Sequence, residues 1–488
     1  MKSSLLQRIR AYFRPAIETV IPEKSRKLRL SGKAIRIPLK GYPQFRIEMG
    51  KQVLHLCPDP AVACQDADAP CDFILFDPDR YFSGISHCQR VSPGNTLAID
   101  SDIEYQDYVF SFPREAFRRQ FSVSHAGDAL IFKDPISELG TYVSLIDDAP
   151  DNLTVTGRRR TALRRIVEIF GGPLQLLSVQ KATEALGRVN ELLRHETGRH
   201  KDSLENPGSL LELPGHITPV LVGDLHARID NLLRILSENG VMDSLEKGTA
   251  ALVFLGDAVH SEEPERLEEM DSSLLIMDLI FMLKIRYPEQ VFFIVGNHDS
   301  FQHEVMKRGI PQGLLWKRHV IAARGEAYKE QLELFYQQSP LLVLSPDFVA
   351  CHAGPARRKI SRQMLVDAHQ FPDIVHDLTW GRIRTPAFPG GYSAGDVRQF
   401  RKGLEVGNEM PFIVGHHPYT RDDTLWINAG RINQHHIVIS ARSDRVGIFT
   451  RIDGAMVPQV FPAEPLTDWL NRQASAGVHQ ISMAGNAD

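Results

Sequence analysis

Five times in the second half of this chain, an apolar run ends just before a residue whose side chain can bind a metal ion. Val220-Leu221-Val222 leads into Gly223-Asp224-Leu225-His226, and Leu252-Val253-Phe254-Leu255 leads into Gly256-Asp257. Val291 to Val295 leads into Gly296-Asn297-His298-Asp299, and Phe348-Val349-Ala350 into Cys351-His352-Ala353-Gly354. Phe412-Ile413-Val414 leads into Gly415-His416-His417. Two Asp, an Asn and three His delivered from strand ends can build a two-metal site, and two-metal sites hydrolyse phosphate esters.

The rest of the chain must be compatible with that pattern. At 488 residues it is too long for one ordinary core, so two or three domains are expected. A hydrophobic content of 43% and a charged content of 24% are those of a soluble globular protein. The net charge of -4 leaves no large basic surface for nucleic acid. No apolar stretch approaches the ~18 residues that a membrane span needs. Met1 to Phe13 scatters Lys2, Arg8 and Arg10 without a long apolar region, which argues against a secretory signal and for a surface helix or tail. The default location is the cytoplasm. Cys57, Cys64, Cys71, Cys88 and Cys351 lack the tight C-x₂-C knuckle that grips zinc, so reduced thiols are expected.

Five segments can be distinguished. Residues 1–30 form an N-terminal helix or tail, and 31–150 carry short β-type runs such as Phe73-Ile74-Leu75-Phe76, broken by Pro, Gly and Asp. Residues 151–210 turn helical, with Leu163, Ile166, Val167 and Phe170 on one face and Arg158 to Arg160, Arg164 and Arg165 on a solvated one. Arg199 to Pro207 reads as a polar hinge. Strands and helices then alternate through 211–465, which predicts an α/β domain with ligands at strand carboxyl ends. Residues 466–488 read as a loose tail.

Each candidate ligand has a chemical reason. Asp224 and His226, one residue apart at a strand end, can chelate one cation, and the two oxygens of Asp257 can bridge two. Asn297, His352 and His416 would complete the shell of the second cation with a neutral oxygen and two imidazoles. Two cations ~3.5–4 Å apart would hold a water between them, lower its pKa toward ~7 and aim it in line at phosphorus. His298 suits a general acid that protonates the departing oxygen. The glycines before Asp224, Asp257, Asn297 and His416 are expected to let the chain turn sharply.

These motifs resemble the calcineurin-like metallophosphoesterase superfamily. Within it, the run Gly223 to Arg234, together with Leu378-Thr379-Trp380, Gly395-Asp396-Val397 and Ile437 to Ala441, resembles the serine/threonine phosphoprotein phosphatases. The resemblance covers residues 215–462 and implies a four-layer αββα sandwich with two divalent metal ions, manganese first and iron or zinc as alternatives. One departure stands out. That family continues its second motif as Asp-x-x-Asp-Arg-Gly, whereas this chain reads Asp257-Ala258-Val259-His260-Ser261-Glu262. His260 therefore replaces the carboxylate that orients the catalytic His298, and Ser261 replaces the arginine that grips phosphate. Arg382, Arg384 and Arg442 are candidates to supply the lost grip.

Upstream, Asp134 to Val143 resembles the closing motif of forkhead-associated (FHA) domains, which bind phosphothreonine. Other FHA landmarks depart, with Ile99-Asp100 and Pro113-Arg114-Glu115-Ala116 at the expected positions; a turn at Gly140-Thr141 in a plain β-domain is the simpler reading.

The expected function is a metal-dependent phosphoesterase acting on phosphomonoesters, with phosphoserine or phosphothreonine in proteins as a substrate class. Its partners would be a phosphorylated protein or small phosphoester, plus a protein partner for the β-domain. A dinucleoside polyphosphate hydrolase of the diadenosine tetraphosphate type is one alternative, suggested by Gly-Asn-His-Asp and His352-Ala353-Gly354. A metal-bound scaffold with weak catalysis is another, suggested by His260 and Ser261.

Overall fold

The short β-type runs of the first 150 residues pair into two sheets. The structure, a computed structural model, describes residues 17–21, 23, 26–30, 32, 34–41, 43–64, 71–99, 121–134, 140–146 and 153–474. It divides into two units, Met1–Thr161 and Ala162–Asp488.

In the first unit, β1 (Ile17–Thr19), β3 (Ala34–Pro38), β10 (Ala129–Lys133), β9 (Phe121–His125) and β8 (Thr96–Ile99) form one sheet in that order. The other runs β2 (Leu28–Leu30), β11 (Thr141–Leu145), β4 (Phe45–Met49), β5 (Gln52–Asp59), β6 (Asp72–Phe76) and β7 (Cys88–Val91). Phe45, Ile47, Leu54, Leu56, Phe73 and Leu75 of the second sheet pack with Ile35, Ile37, Val123, Leu130 and Phe132 of the first. Period-two alternation thus closes a β-sandwich. Thr141 donates its hydroxyl to the buried Asp134 Oδ2 at 2.5 Å, a structural contact within the β-domain. The other FHA landmarks, Asp100 and Pro113 to Ala116, lie outside the described residues, as do Met1 to Phe13 and 475–488; residues 466–474 are not a loose tail but a helical turn of chain that buries Leu466 and Leu470.

The boundary falls inside helix α1 (Val155–Phe170). Arg160 and Arg164 are exposed, as expected of a solvated face, but Arg158 and Arg159 are not: Arg159 is 1% exposed, with Nη1 3.3 Å from Asp59 Oδ1, and Arg158 reaches the carbonyl of Tyr81. Burying two guanidinium groups requires such partners, a constraint invisible in the local sequence.

The second unit stacks two sheets between two helical layers. One sheet runs β16 (Val291–Phe293), β15 (Ala250–Phe254), β14 (Thr218–Val222), β22 (Arg445–Ile452) and β23 (Ala455–Pro462). The other runs β12 (Arg199–Lys201), β13 (Pro207–Glu212), β17 (Leu342–Ser345), β18 (Phe348–Cys351), β19 (Phe412–Val414), β21 (His435–Val438) and β20 (Leu425–Trp426). β14, β15 and β16 are mutually parallel, as are β18, β19 and β21. Leu221, Val253 and Phe292 interleave with Val343, Ala350 and Ile413 between the sheets. The alternate residues of the same strands face outward onto helices and are buried too, which is why these strands read as unbroken apolar runs.

Onto the first sheet pack α3 (Ile229–Ser237), α4 (Val241–Glu246) and α5 (Asp271–Arg286). Beyond α5 lies α2 (Val179–Arg194), which packs against α6 (Gln312–Arg324) and α7 (Glu326–Gln338). Asn190 of α2 donates to the Gln331 carbonyl of α7 at 2.9 Å. The second sheet carries α8 (Arg362–Val366), α9 (Pro372–Trp380) and α10 (Ala394–Gly403), which bury Leu365, Ile374, Leu378, Val397 and Phe400. The result is the αββα sandwich expected from the resemblance. Arg199 to Pro207 is not a hinge: Arg199 starts β12, and its buried guanidinium donates to Gly208 O, Glu196 and Gln338 O. The polar composition of this stretch reflects an edge strand rather than a free link.

Candidate metal centre

All five ligand-bearing runs end at one edge of the sandwich. Asp224 and His226 follow β14, Asp257 follows β15 and Asn297 follows β16; His352 and His416 follow β18 and β19 of the facing sheet. The sheets are laced together there. Ser440 N donates to Asp224 O at 3.0 Å, and Gly223 N donates to Ser440 Oγ at 3.0 Å.

The six candidate ligands converge. Ligand atoms of Asp224, His226 and Asp257 lie within 4.8 Å of one another, and so do those of Asp257, His352 and His416. Asp257 belongs to both groups. His352 Nε2 is 3.0 Å from Asn297 Oδ1, 3.2 Å from His416 Nδ1 and 3.3 Å from Asp257 Oδ2. The Leu255 carbonyl lies 2.7 Å from His352 Nδ1, and the Val259 and His260 carbonyls lie 3.3 and 3.1 Å from His226 Nδ1. Each carbonyl holds a proton on Nδ1 and turns Nε2 toward the cluster.

The donor set fits divalent cations. Asp224 Oδ2 is buried without a hydrogen-bond partner, a costly arrangement for a carboxylate oxygen in a packed interior. The electrostatics agree. Burial works against a charged His352 ring, yet Asp257 and Asp224 outweigh it and push its pKa up to about 9. Burial, partly offset by His352, pushes Asp224 up to about 6. This cluster demands positive charge.

The backbone is bent to make the fit. His226, Asp257 and His416 have φ of 46°, 51° and 66°, and His260 has 67°. Such left-handed residues cost ~1–3 kcal/mol each and persist only where their surroundings impose them. Of the preceding glycines, one serves the expected purpose and three serve another. Only Gly256, at φ 95°, needs glycine for its conformation. Gly223, Gly296 and Gly415 are glycines for space, because a Cβ would strike the Val438 carbonyl, Asp257 Oδ1 and Asp224 Oδ1 respectively.

His298 donates its backbone N–H to Asp257 Oδ1 at 2.8 Å, and its ring centre lies 5.1 Å from that of His226. His260 is fully buried with Nδ1 3.1 Å from His298 Nδ1, so it touches the residue it is positioned to orient. Burial brings His298 down to about 4 and His260 well below the usual histidine range, so both rings are neutral near pH 7 in this environment.

The three candidate arginines separate. Arg382 stacks on Phe388 at 4.7 Å, and its charge lowers His416 and His417, after the larger effect of burial. It lines a cavity of about 490 Å³ with Ile383, Phe388, Tyr419, Gly415 and His417. Arg384 Nε is committed to the Gly391 carbonyl at 3.1 Å and Arg442 Nε to the Asp423 carbonyl at 2.9 Å. His417 is a neighbour of the cluster and not part of either ligand group.

Three contributors were not assigned a role from sequence. Asp299 accepts from Asp257 N at 2.7 Å, Gly296 N at 2.9 Å and Ala258 N at 3.3 Å, bracing two ligand loops at once. Its position directly after His298 was the available signal. Trp380 sets its ring 6.2 Å from His416. Glu262 Oε1 stands 3.3 Å from His226 Nε2 and is paired with Lys307, which nothing in the sequence pattern connects to the site.

An αββα sandwich with Asp, His and Asn ligands at one edge defines the metallophosphoesterase class, and residues 217–437 match the calcineurin-like phosphoesterase family. That segment is a calcineurin-like phosphoesterase domain. The chain is 31% identical over 99 residues to the serine/threonine-protein phosphatase PP1-delta of Caenorhabditis elegans, covering 20% of this chain and 28% of that protein. It is 27% identical over 183 residues to the serine/threonine-protein phosphatase PP2A-like PPG1 of Candida albicans, covering 34% and 37% respectively. The chain thus spans about a third of the length of these two relatives. Among solved structures, a protein serine/threonine phosphatase from Saccharomyces cerevisiae with similarity to human phosphatase PP5 aligns with a TM-score of 0.46 and 15% identity, over 59% of this chain and 91% of that one. Among the described residues no helix is long and apolar enough to cross a membrane.

Proposed function

We propose that this domain hydrolyses phosphomonoesters, with phosphoserine or phosphothreonine in proteins as the substrate class. The observation that carries the reading is the membership of Asp257 in both ligand groups, with His298 bonded to the same carboxylate. Asp224, His226 and Asp257 would hold one divalent cation, and Asp257, Asn297, His352 and His416 a second, manganese being the first choice. Two such cations supply an activated water and neutralise phosphate charge.

The chain's own residues do the rest. His260 and His298 share one proton between their Nδ1 atoms. His260 Nδ1 accepts the Nδ1–H of His298, and a His298 ring that takes up a second proton as the phosphate dianion approaches gives its Nε2 proton to the leaving oxygen and is left neutral. Arg382 grips the phosphate oxygens from the side of His416, in place of the arginine lost at Ser261. The N-terminal β-sandwich serves as a docking module for a protein partner, and the protein acts in the cytoplasm.

The test is phosphate release from p-nitrophenyl phosphate by the purified protein with added manganese, with Asp257→Asn as control. Manganese-dependent turnover that vanishes in the variant supports the reading. A folded, manganese-loaded protein with no turnover would overturn it in favour of the scaffold. Comparing phosphopeptides with diadenosine tetraphosphate then separates the monoesterase from the dinucleoside polyphosphate hydrolase.

A further inference from the structure

Ser261 leaves a gap in the chemistry. It is buried, and its hydroxyl accepts the Glu263 backbone N–H at 3.2 Å, so it offers the substrate neither charge nor reach. A phosphate dianion held only from the Arg382 side would be poorly balanced. Another cation, Lys307, stands beside His226 through its pairing with Glu262.

We propose that Lys307 is a second phosphate-binding residue, parked on Glu262 at the rim of the metal centre until an anionic phosphoester arrives. The proposal rests on the phosphoesterase reading above. Its geometry is direct: the same Glu262 Oε1 atom that pairs with Lys307 Nζ lies 3.3 Å from His226 Nε2. Only one carboxylate oxygen therefore separates the ammonium from a ligand nitrogen. The charge of Lys307 is felt at His226, His298 and His417, and His417 also feels Arg382, so the two cations approach the centre from different elements.

The chain segment is built to hold the lysine there. Lys307 N and Ile310 O bond at 3.0 Å and Ile310 N and Lys307 O at 2.9 Å, closing a two-residue turn. Its central residues, Arg308 and Gly309, have φ of 49° and 82°, which is the left-handed type I′ pattern. Buried Val305 anchors the turn from below. A rigid hairpin fixes where the flexible stem begins, while the side chain, 36% exposed, keeps its tip movable.

The pairing suits exchange. A partly exposed Lys–Glu pair is weak, so its ammonium can trade a carboxylate oxygen for a phosphate oxygen readily. Lysine binds phosphate as a point charge and needs no fixed fork. Glu262, by contrast, repels phosphate once its lysine leaves. The two partners of one salt bridge should therefore affect phosphate in opposite directions, which a purely structural pair would not do.

The experiment measures orthophosphate binding to manganese-loaded protein by titration calorimetry, alongside its inhibition constant against p-nitrophenyl phosphate. Lys307→Met is expected to weaken orthophosphate by ~10-fold or more, as expected for loss of a charge-assisted contact, with Lys307→Arg restoring most of it. Glu262→Gln is expected to tighten it several-fold. Binding unchanged in Lys307→Met, shifts of the same sign in both variants, or no orthophosphate binding to the wild type would each overturn the proposal. Absent turnover with a weakened calorimetric response in Lys307→Met would sink the hydrolase reading while leaving Lys307 as an anion site.

Discussion

The Nδ1 atoms of His260 and His298 face each other at 3.1 Å inside the packed edge of the sandwich. A neutral ring thus occupies the place from which related phosphatases present a carboxylate to the same histidine. It can orient His298 by a hydrogen bond but adds no negative charge to favour its protonated form. His298→Asn is expected to lower kcat by ~10²–10⁴ with metal content unchanged. His260→Asp should raise kcat several-fold. Metal analysis beside steady-state kinetics checks both, and a His260→Asp enzyme slower than wild type would show that the pocket is tuned to the neutral pair.

Arg382 is distinguished from its two rivals by place, since it lines the cavity beside Gly415 and His417. Because Arg384 and Arg442 do not line that cavity, Arg384→Met and Arg442→Met should leave KM within about twofold, whereas Arg382→Met should raise it by ~10–100-fold. Saturation curves with p-nitrophenyl phosphate decide the matter.

Gly415 lies on backbone that any residue could adopt, yet a Cβ there collides with Asp224 Oδ1. Gly415→Ala should therefore displace a ligand without unfolding the chain. A misplacement of ~1 Å is enough to cost ~10²-fold in activity. Metal occupancy measured by mass spectrometry should fall in parallel, and full occupancy with full activity would contradict the geometry.

Three histidines away from the ligand cluster set an acid limit. Burial brings His435 down to about 3 and His369 and His436 to about 4. In each case the unfolded chain binds a proton near pH 6.5 that the folded chain refuses until much lower pH. Folded stability is thus undiminished by these groups above pH 6.5 and falls as pH drops from there toward 4. Each group contributes on the order of a few kcal/mol over that window. Urea unfolding at a series of pH values should show the slope, and it should be shallower in His436→Gln.

Much of the site was legible because each ligand sits one or two residues beyond an apolar run, and strand ends deliver side chains to a common edge. Asp224, His226, Asp257, Asn297, His352 and His416 could be named from spacing alone. What escaped was whatever depends on long-range packing. Arg158 and Arg159 read as surface charge because Tyr81 and Asp59, which receive them, are 77 and 100 residues away. Lys307 reads as an ordinary loop lysine because its partner Glu262 lies 45 residues upstream. Of the spacing glycines, Gly256 has the conformational reason expected, while Gly223, Gly296 and Gly415 serve to leave room, and steric room around a folded neighbour leaves no trace in local sequence.

The left-handed backbone at His226, Asp257 and His416 bears on how such chemistry can be moved between proteins. Grafting six side chains onto another scaffold would reproduce the inventory and miss the aim of three of them. The transferable parts are peptide segments, 223–227, 256–260 and 415–417, each carrying its own bend. Those bends sit where two stacked sheets are joined at their common edge. An engineer borrowing this centre would need to copy the seam between the sheets before choosing a single ligand.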